Sequence, residues 1–184
     1  GLEASSGYGV ANKIVSFIML LPSALMQTMS AFVAQNVGAG KEERARKALF
    51  TGIGIGCVIG IFIGVFAFLR GDLMAYIFTG DPVVIQRAAQ YLKGFAPEAV
   101  VTAVSFSFIG YFNGHSQTMF VMLQGLCQTF LVRLPVSYFM SIQENASLAW
   151  IGTAAPLATV FGIVLNTVYF IWYHRCVICR TGRK

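Results

Sequence analysis

The chain has 184 residues, of which 57% are hydrophobic and only 11% charged, with a net charge of +6 and a mean hydropathy of +0.71. Soluble domains carry about 25% charged residues, so a water-soluble globule is excluded and the chain reads as an integral membrane protein. The positive charge does not signal a nucleic-acid partner, because the basic residues cluster at 41–47 and 175–184 with no aromatic platform between them.

Four stretches lack Asp, Glu, Lys and Arg altogether: 14–40, 48–69, 99–132 and 145–174. Each exceeds the ~18 residues that mark a bilayer-crossing helix, and 99–132 is long enough for two halves broken at Asn113-Gly114. Spans are expected at 8–34, 48–69, 95–112, 117–141 and 147–173, the middle one reaching back as an amphipathic stretch from Pro82, all within one bundle over 1–184. The expected fold class is therefore all-α, a polytopic membrane bundle of about five helices. A membrane barrel would need alternating segments of about 10 residues, whereas these runs are apolar all round.

The first span carries Asn12, Gln27, Thr28 and Ser30 and is interrupted by Pro22. It leads into AQNVGAGKEERARKAL at 34–49, where the densest charge in the chain sits between two charge-free runs. GAGK there is not a phosphate loop, since Gln35 stands where the first glycine is required and Glu42 where Ser or Thr must follow the lysine. The segment reads instead as a turn between two spanning helices. With five spans, Lys41, Arg44, Arg46, Lys47, Arg175, Arg180, Arg183 and Lys184 share one side, against Arg70, Arg87 and Lys93 on the other and Lys13 at the border. The positive-inside bias puts the richer side in the cytoplasm. The amino end is then outside, which requires a preceding helix, so the chain is expected to be a carboxyl-terminal fragment.

The second span holds Gly52, Gly56, Gly60 and Gly64. A spacing of four puts them on one face, a smooth groove for a neighbouring backbone. Static close packing explains that pattern more simply than a rocking surface does, and Gly56 and Gly60 are the structural candidates. GIGIGCVIG at 52–60 has the wrong spacing for a dinucleotide loop and lies inside a span.

Charges within spans are costly, at least ~2.5–3.5 kcal/mol at mid-helix, and two residues qualify. Glu98 follows Pro97 in the outer part of the third span, and Arg133 precedes Leu134-Pro135 in the outer half of the fourth. Either can reach the headgroups. Alternatively, Glu98 faces a cavity as a carboxylate suited to proton or cation exchange, and Arg133 and Pro135 act in structure or gating. Gln27, Gln124, Gln128 and Asn166 are candidate cavity-lining residues, with helix-to-helix bonding as the plainer alternative. Pro156 interrupts the fifth span.

No span carries paired carboxylates or a Ser/His set, and His115 and His174 have no metal-spaced partner. No catalytic residue, metal or cofactor is expected. The tail pair Cys176 and Cys179 forms a lone C-x-x-C, weak as a zinc signal.

FVAQNVGAGKEERARKA (32–48), FIGYFNG (108–114), LVRLPVSY (131–138) and IGTAAPLAT (151–159), in this order, resemble the carboxyl lobe of multidrug and toxic compound extrusion (MATE) transporters. The resemblance implies two six-helix lobes, with this chain covering helices eight to twelve and the amino-terminal lobe missing. It implies export of amphipathic, often cationic drug-like compounds, driven by entry of H+ or Na+, in a bacterial plasma membrane. Glu98 is the one acid available in this chain at the family's tenth helix. A flippase for lipid-linked or polysaccharide substrates is the alternative within the same superfamily; the membrane domain of an enzyme or assembly protein is the second.

Overall fold

A computed structural model describes residues 2–142 and 154–178. Among the described residues there are helices and no strands, and five helical segments are long and apolar enough to cross a membrane. Within hydrocarbon each backbone polar group must be bonded inside its own segment, which a helix alone achieves without a closed barrel.

Helix α1 (Leu2–Gly38) stops at a turn in which Lys41 N–H donates to Asn36 C=O at 2.8 Å and Gly40 N–H to Val37 C=O at 3.0 Å. This pair of bonds requires a left-handed residue between them, and Gly40 has φ +70°. Helix α2 (Glu42–Tyr76) then starts with Glu42 and Glu43, whose charges suit the positive end of the helix dipole. Its backbone departs from helical geometry at Arg70 (φ −131°, ψ 34°), so its last turns change direction.

Asp81 caps α3 (Pro82–Gly114), accepting from Val83 N–H at 2.9 Å, with Pro82 in the first turn where no N–H is needed. Helix α3 ends as α1 does, with Gln117 N–H bonded to Phe112 C=O and Ser116 N–H to Asn113 C=O. Here the left-handed residue is Ser116 (φ 59°) and not a glycine.

Helix α4 (Thr118–Cys127) passes through a π-helical segment (Gln128–Arg133) into α5 (Leu134–Ile142). Pro135 offers no N–H to the carbonyl four residues back, and the wider turns just before it accommodate that loss. Helix α6 (Ala154–Tyr173) continues as a second π segment (His174–Ile178). Pro156 stands in the first turn of α6, a position that tolerates proline without a kink.

Helix α3 packs against α1, α2 and α6 and forms the centre of the bundle. The buried face of α2 is Ala45, Leu49, Gly52, Gly56, Gly60, Gly64, Ala67, Gly71 and Ala75. A Cβ on Gly60 would stand 2.8 Å from Ala99 O and 2.9 Å from Val100 Cα, and one on Gly64 2.8 Å from Ala96 O. The glycines therefore let α2 approach the α3 backbone itself, as small residues do in membrane packing. Gly110 performs the same service between α3 and α1, where an added Cβ would lie 2.6 Å from Met26 O.

Two apolar clusters fill the three-helix unit. One joins Ile14 and Ile18 of α1 to Ala75 and to Ala88 and Leu92 of α3. The other, at the end bearing the basic turn, joins Met29, Val33 and Leu49 to Phe108, Tyr111 and Phe112. At that end His115 Nε2 lies 2.5 Å from Glu42 Oε1 while His115 Nδ1 bonds Tyr111 C=O at 3.0 Å, tying the start of α2 to the end of α3. The imidazole is 5.6 Å from the Tyr173 ring, so the end of α6 lies on the same side.

Candidate functional site: a carboxylate buried between helices

Glu98 stands at the midpoint of α3, roughly 24 Å of helix from either end. At about 50 Å the helix is longer than the hydrocarbon layer, and Glu98 lies five residues beyond Lys93. The helix runs unbroken from Pro82 through Pro97, and its charged first half, with Arg87 and Lys93, belongs to the same rod. Glu98 is 7% exposed, enclosed by the neighbouring helices.

Its environment comes from α6 and the π segment. Thr159 Oγ1 donates to Glu98 Oε1 at 2.8 Å. Gln128 Nε2 reaches Thr159 Oγ1 at a longer 3.5 Å, and Gln124 Nε2 donates to Gln128 Oε1 at 2.8 Å. Every donor in this series points the same way, so the amide dipoles and the hydroxyl converge on the carboxyl and reinforce one another. Glu98 Oε2, by contrast, is buried with no partner at hydrogen-bond geometry among the described residues. Thr102, one turn further along α3, is the hydroxyl that faces the carboxyl, close enough to interact with it though outside ideal hydrogen-bond geometry. One oxygen is held and the other is open, an arrangement that can take up a proton or share a cation.

Room for the glutamines is made by Gly162 on α6. A Cβ there would fall 2.5 Å from Gln128 Oε1 and 2.7 Å from Gln124 Nε2. The π segment places Gln128 at its first residue and Arg133 at its last, in keeping with the use of such wide turns near functional groups.

The remaining candidates disperse. Asn166 is fully buried on α6, seven residues beyond Thr159, and neither atom of its amide is bonded among the described residues. Gln27 is exposed on α1 and takes no part in the series. Arg133 is exposed; its charge is felt at Glu98, but it forms no ion pair among the described residues. Pro135 is half-buried beside it. Gly56 and Gly60 line a cavity of about 180 Å³ with Pro22, Leu25, Ala99 and Ala103, next to the Glu98 turn. Cys176 is exposed, and Cys179 lies outside the described residues.

Sequence reasoning missed Thr159, Gly162 and Thr102 as members of the site. Thr159, Gly162 and Asn166 recur at three- and four-residue steps on α6, and that spacing marks a shared polar face.

Five helices long and apolar enough to cross a membrane, with a buried carboxyl group within the third, define a polytopic membrane protein. The MatE family model matches residues 1–139, and the chain belongs to this family of multidrug efflux transporters. It is 23% identical to the probable multidrug resistance protein NorM of Thermotoga maritima, with all of this chain and 40% of the relative covered. It is 22% identical to the probable multidrug resistance protein YoeA of Bacillus subtilis over 94% of this chain and 38% of the relative. A FAD transporter of Shewanella oneidensis is 24% identical over 73% of this chain and 30% of its own length. The chain thus spans about 40% or less of these relatives.

Proposed function

We propose that this chain forms one lobe-like part of a cation-coupled multidrug antiporter, with Glu98 as its coupling carboxylate. The single observation that carries the reading is the half-satisfied Glu98 at the midpoint of α3. A buried carboxyl in hydrocarbon is too costly to serve as packing alone, and its open oxygen is where H+ or Na+ would bind. Entry of that cation would exchange for an amphipathic, often cationic compound, by alternating access against an amino-terminal lobe. The basic turn at 41–47 and the tail would then be cytoplasmic, and the amino end of the chain outside.

The lipid-linked flippase reading draws little support, because the cation it would most need, Arg133, is exposed and not gathered with others around a cavity. The test is Glu98→Gln in the complete protein, reconstituted with imposed H+ or Na+ gradients. Expression and folding are expected to persist while gradient-driven drug efflux falls at least about tenfold, as expected for loss of the ion-binding group. Efflux coupled as in the wild type would overturn the reading.

A further inference from the structure

Beyond Glu98 and Thr102, the seam between α3 and α6 carries further buried polar groups. The two helices run in the same direction. Thr159 lies beside Glu98, and eleven residues later the Phe170 ring is 6.1 Å from Phe108 and 5.5 Å from Tyr111. That register sets Asn166 level with Ser105, two turns inward from Glu98.

Among the described residues, both amide atoms of Asn166, the Tyr111 hydroxyl and His174 Nε2 are buried with no hydrogen-bond partner, and Thr102 Oγ1 faces only Glu98. Asn166 and Tyr111 are completely enclosed. Buried polar groups are rarely left unbonded, and several of them strung along one seam call for a partner that serves a hydroxyl, an amide, a phenol and an imidazole alike. Water is the ligand whose chemistry fits all four. The series begins at the open oxygen of Glu98 and ends where His115 meets Glu42, whose side chain is 27% exposed at the basic end of the bundle.

We propose that this seam is a hydrated proton path joining Glu98 to the cytoplasmic end of the bundle through Thr102, Asn166 and Tyr111, with the His115–Glu42 pair as its terminus. The proposal rests on the reading of Glu98 as the coupling group. A proton held on the Glu98 carboxyl passes to a water at Thr102, and each water in turn accepts one proton and gives up another. At the terminus one proton enters the hydrogen bond between His115 Nε2 and Glu42 Oε1, and one leaves from the exposed carboxyl to bulk water. No other bond changes, and charge balances at each step. Tyr111 of α3, Tyr173 of α6 and His174 of the π segment that follows surround the pair, and the charge of Arg46 on α2 is felt among them. Single neutral groups spaced along a seam suit a proton handed between waters. A bare metal cation would need several oxygens around it at once.

The path is tested in the complete protein in lipid nanodiscs by radiolytic hydroxyl-radical footprinting, which modifies buried side chains that adjoin water. Tyr111 is expected to be modified at least about threefold faster than Phe112, its equally buried neighbour, because ordered water adjoins buried polar groups and not apolar ones. Equal, low modification of the two overturns the path. In proteoliposomes, Asn166→Leu is expected to slow proton-driven exchange about tenfold with drug binding kept, and Asn166→Ser to recover part of the rate, since a hydroxyl can still bond water. Exchange at the wild-type rate in Asn166→Leu overturns the path as well, and should that variant fail to fold, the footprint of the unaltered protein still decides. A dry seam leaves the Glu98 reading standing, whereas normal coupling in Glu98→Gln with a wet seam removes the coupling reading and, with it, the proton source of the path.

Discussion

Helix α3 and the helical segment Thr118–Phe139 have the same mean hydropathy, 1.4, yet 67% of the apolar window of α3 is buried inside the protein and only 6% of that in the other. Hydropathy measures tolerance of a hydrocarbon surrounding and is blind to whether protein or lipid supplies it. Residue size makes the difference. The faces of α3 are built from Ala88, Ala96, Ala99, Ala103, Ser107 and Gly110, which admit neighbouring backbones. The other segment turns Met119, Met122, Leu123, Phe130, Leu131 and Phe139 outward, side chains suited to lipid or to surfaces that also bury large groups.

The contrast is broken most forcefully by adding bulk to each region. Gly60→Val drives two methyl groups into the Ala99–Val100 backbone and is expected to cost about 3 kcal/mol or prevent folding, at the upper end of overpacking penalties. Gly125→Val on α4, where an added Cβ meets nothing within 4 Å, is expected to stay within about 0.5 kcal/mol, as at uncrowded surface sites. Thermal unfolding of the two variants in detergent checks both, and similar losses would mean that α4 is packed as tightly as α3.

A smaller effect separates the site from its scaffold. Thr159→Val keeps the shape and removes the donor to Glu98 Oε1; stability is expected to fall by about 1–3 kcal/mol, the range for a hydrogen bond to a charged group. Gradient-driven efflux should weaken at the same time. A variant that unfolds and transports as the wild type does would show the bond to be incidental. The smallest effect is a gain. Ser116→Gly relieves the one non-glycine residue with positive φ among the described residues and is expected to stabilise the α3–α4 turn by up to about 1 kcal/mol, read as a higher unfolding temperature with efflux unchanged.

The bundle was largely legible from the chain, and the site only in fragments. Glu98 stands out as an acid in apolar surroundings, but its helix begins well before the expected start of the span. Helix α3 absorbs Arg87 and Lys93 on the same rod, and Pro97 does not divide it. Gln124 and Gln128 share a face by spacing, yet their partner Thr159 is invisible to spacing because it lies 31 residues beyond Gln128 and 61 beyond Glu98. Gln27 is equally polar and equally apolar in its neighbours, and it points outward. His115 and Glu42, 73 residues apart, carry no local signal of their bond.

By itself the sequence determined a membrane-embedded, all-helical chain with five crossing segments, and motifs that resemble the MATE family. These follow from composition and length, because in hydrocarbon only a helix or a closed barrel satisfies the backbone and apolar runs of this length rule out the barrel. Only the tertiary structure decided which helix is central, that Thr159 and not Arg133 meets Glu98, and that unbonded polar groups line up from there to the His115–Glu42 pair. A helix that is apolar all round has no stripe to declare its inward face. Its rotation, and so the side chains it brings together, is set by the neighbours it packs against.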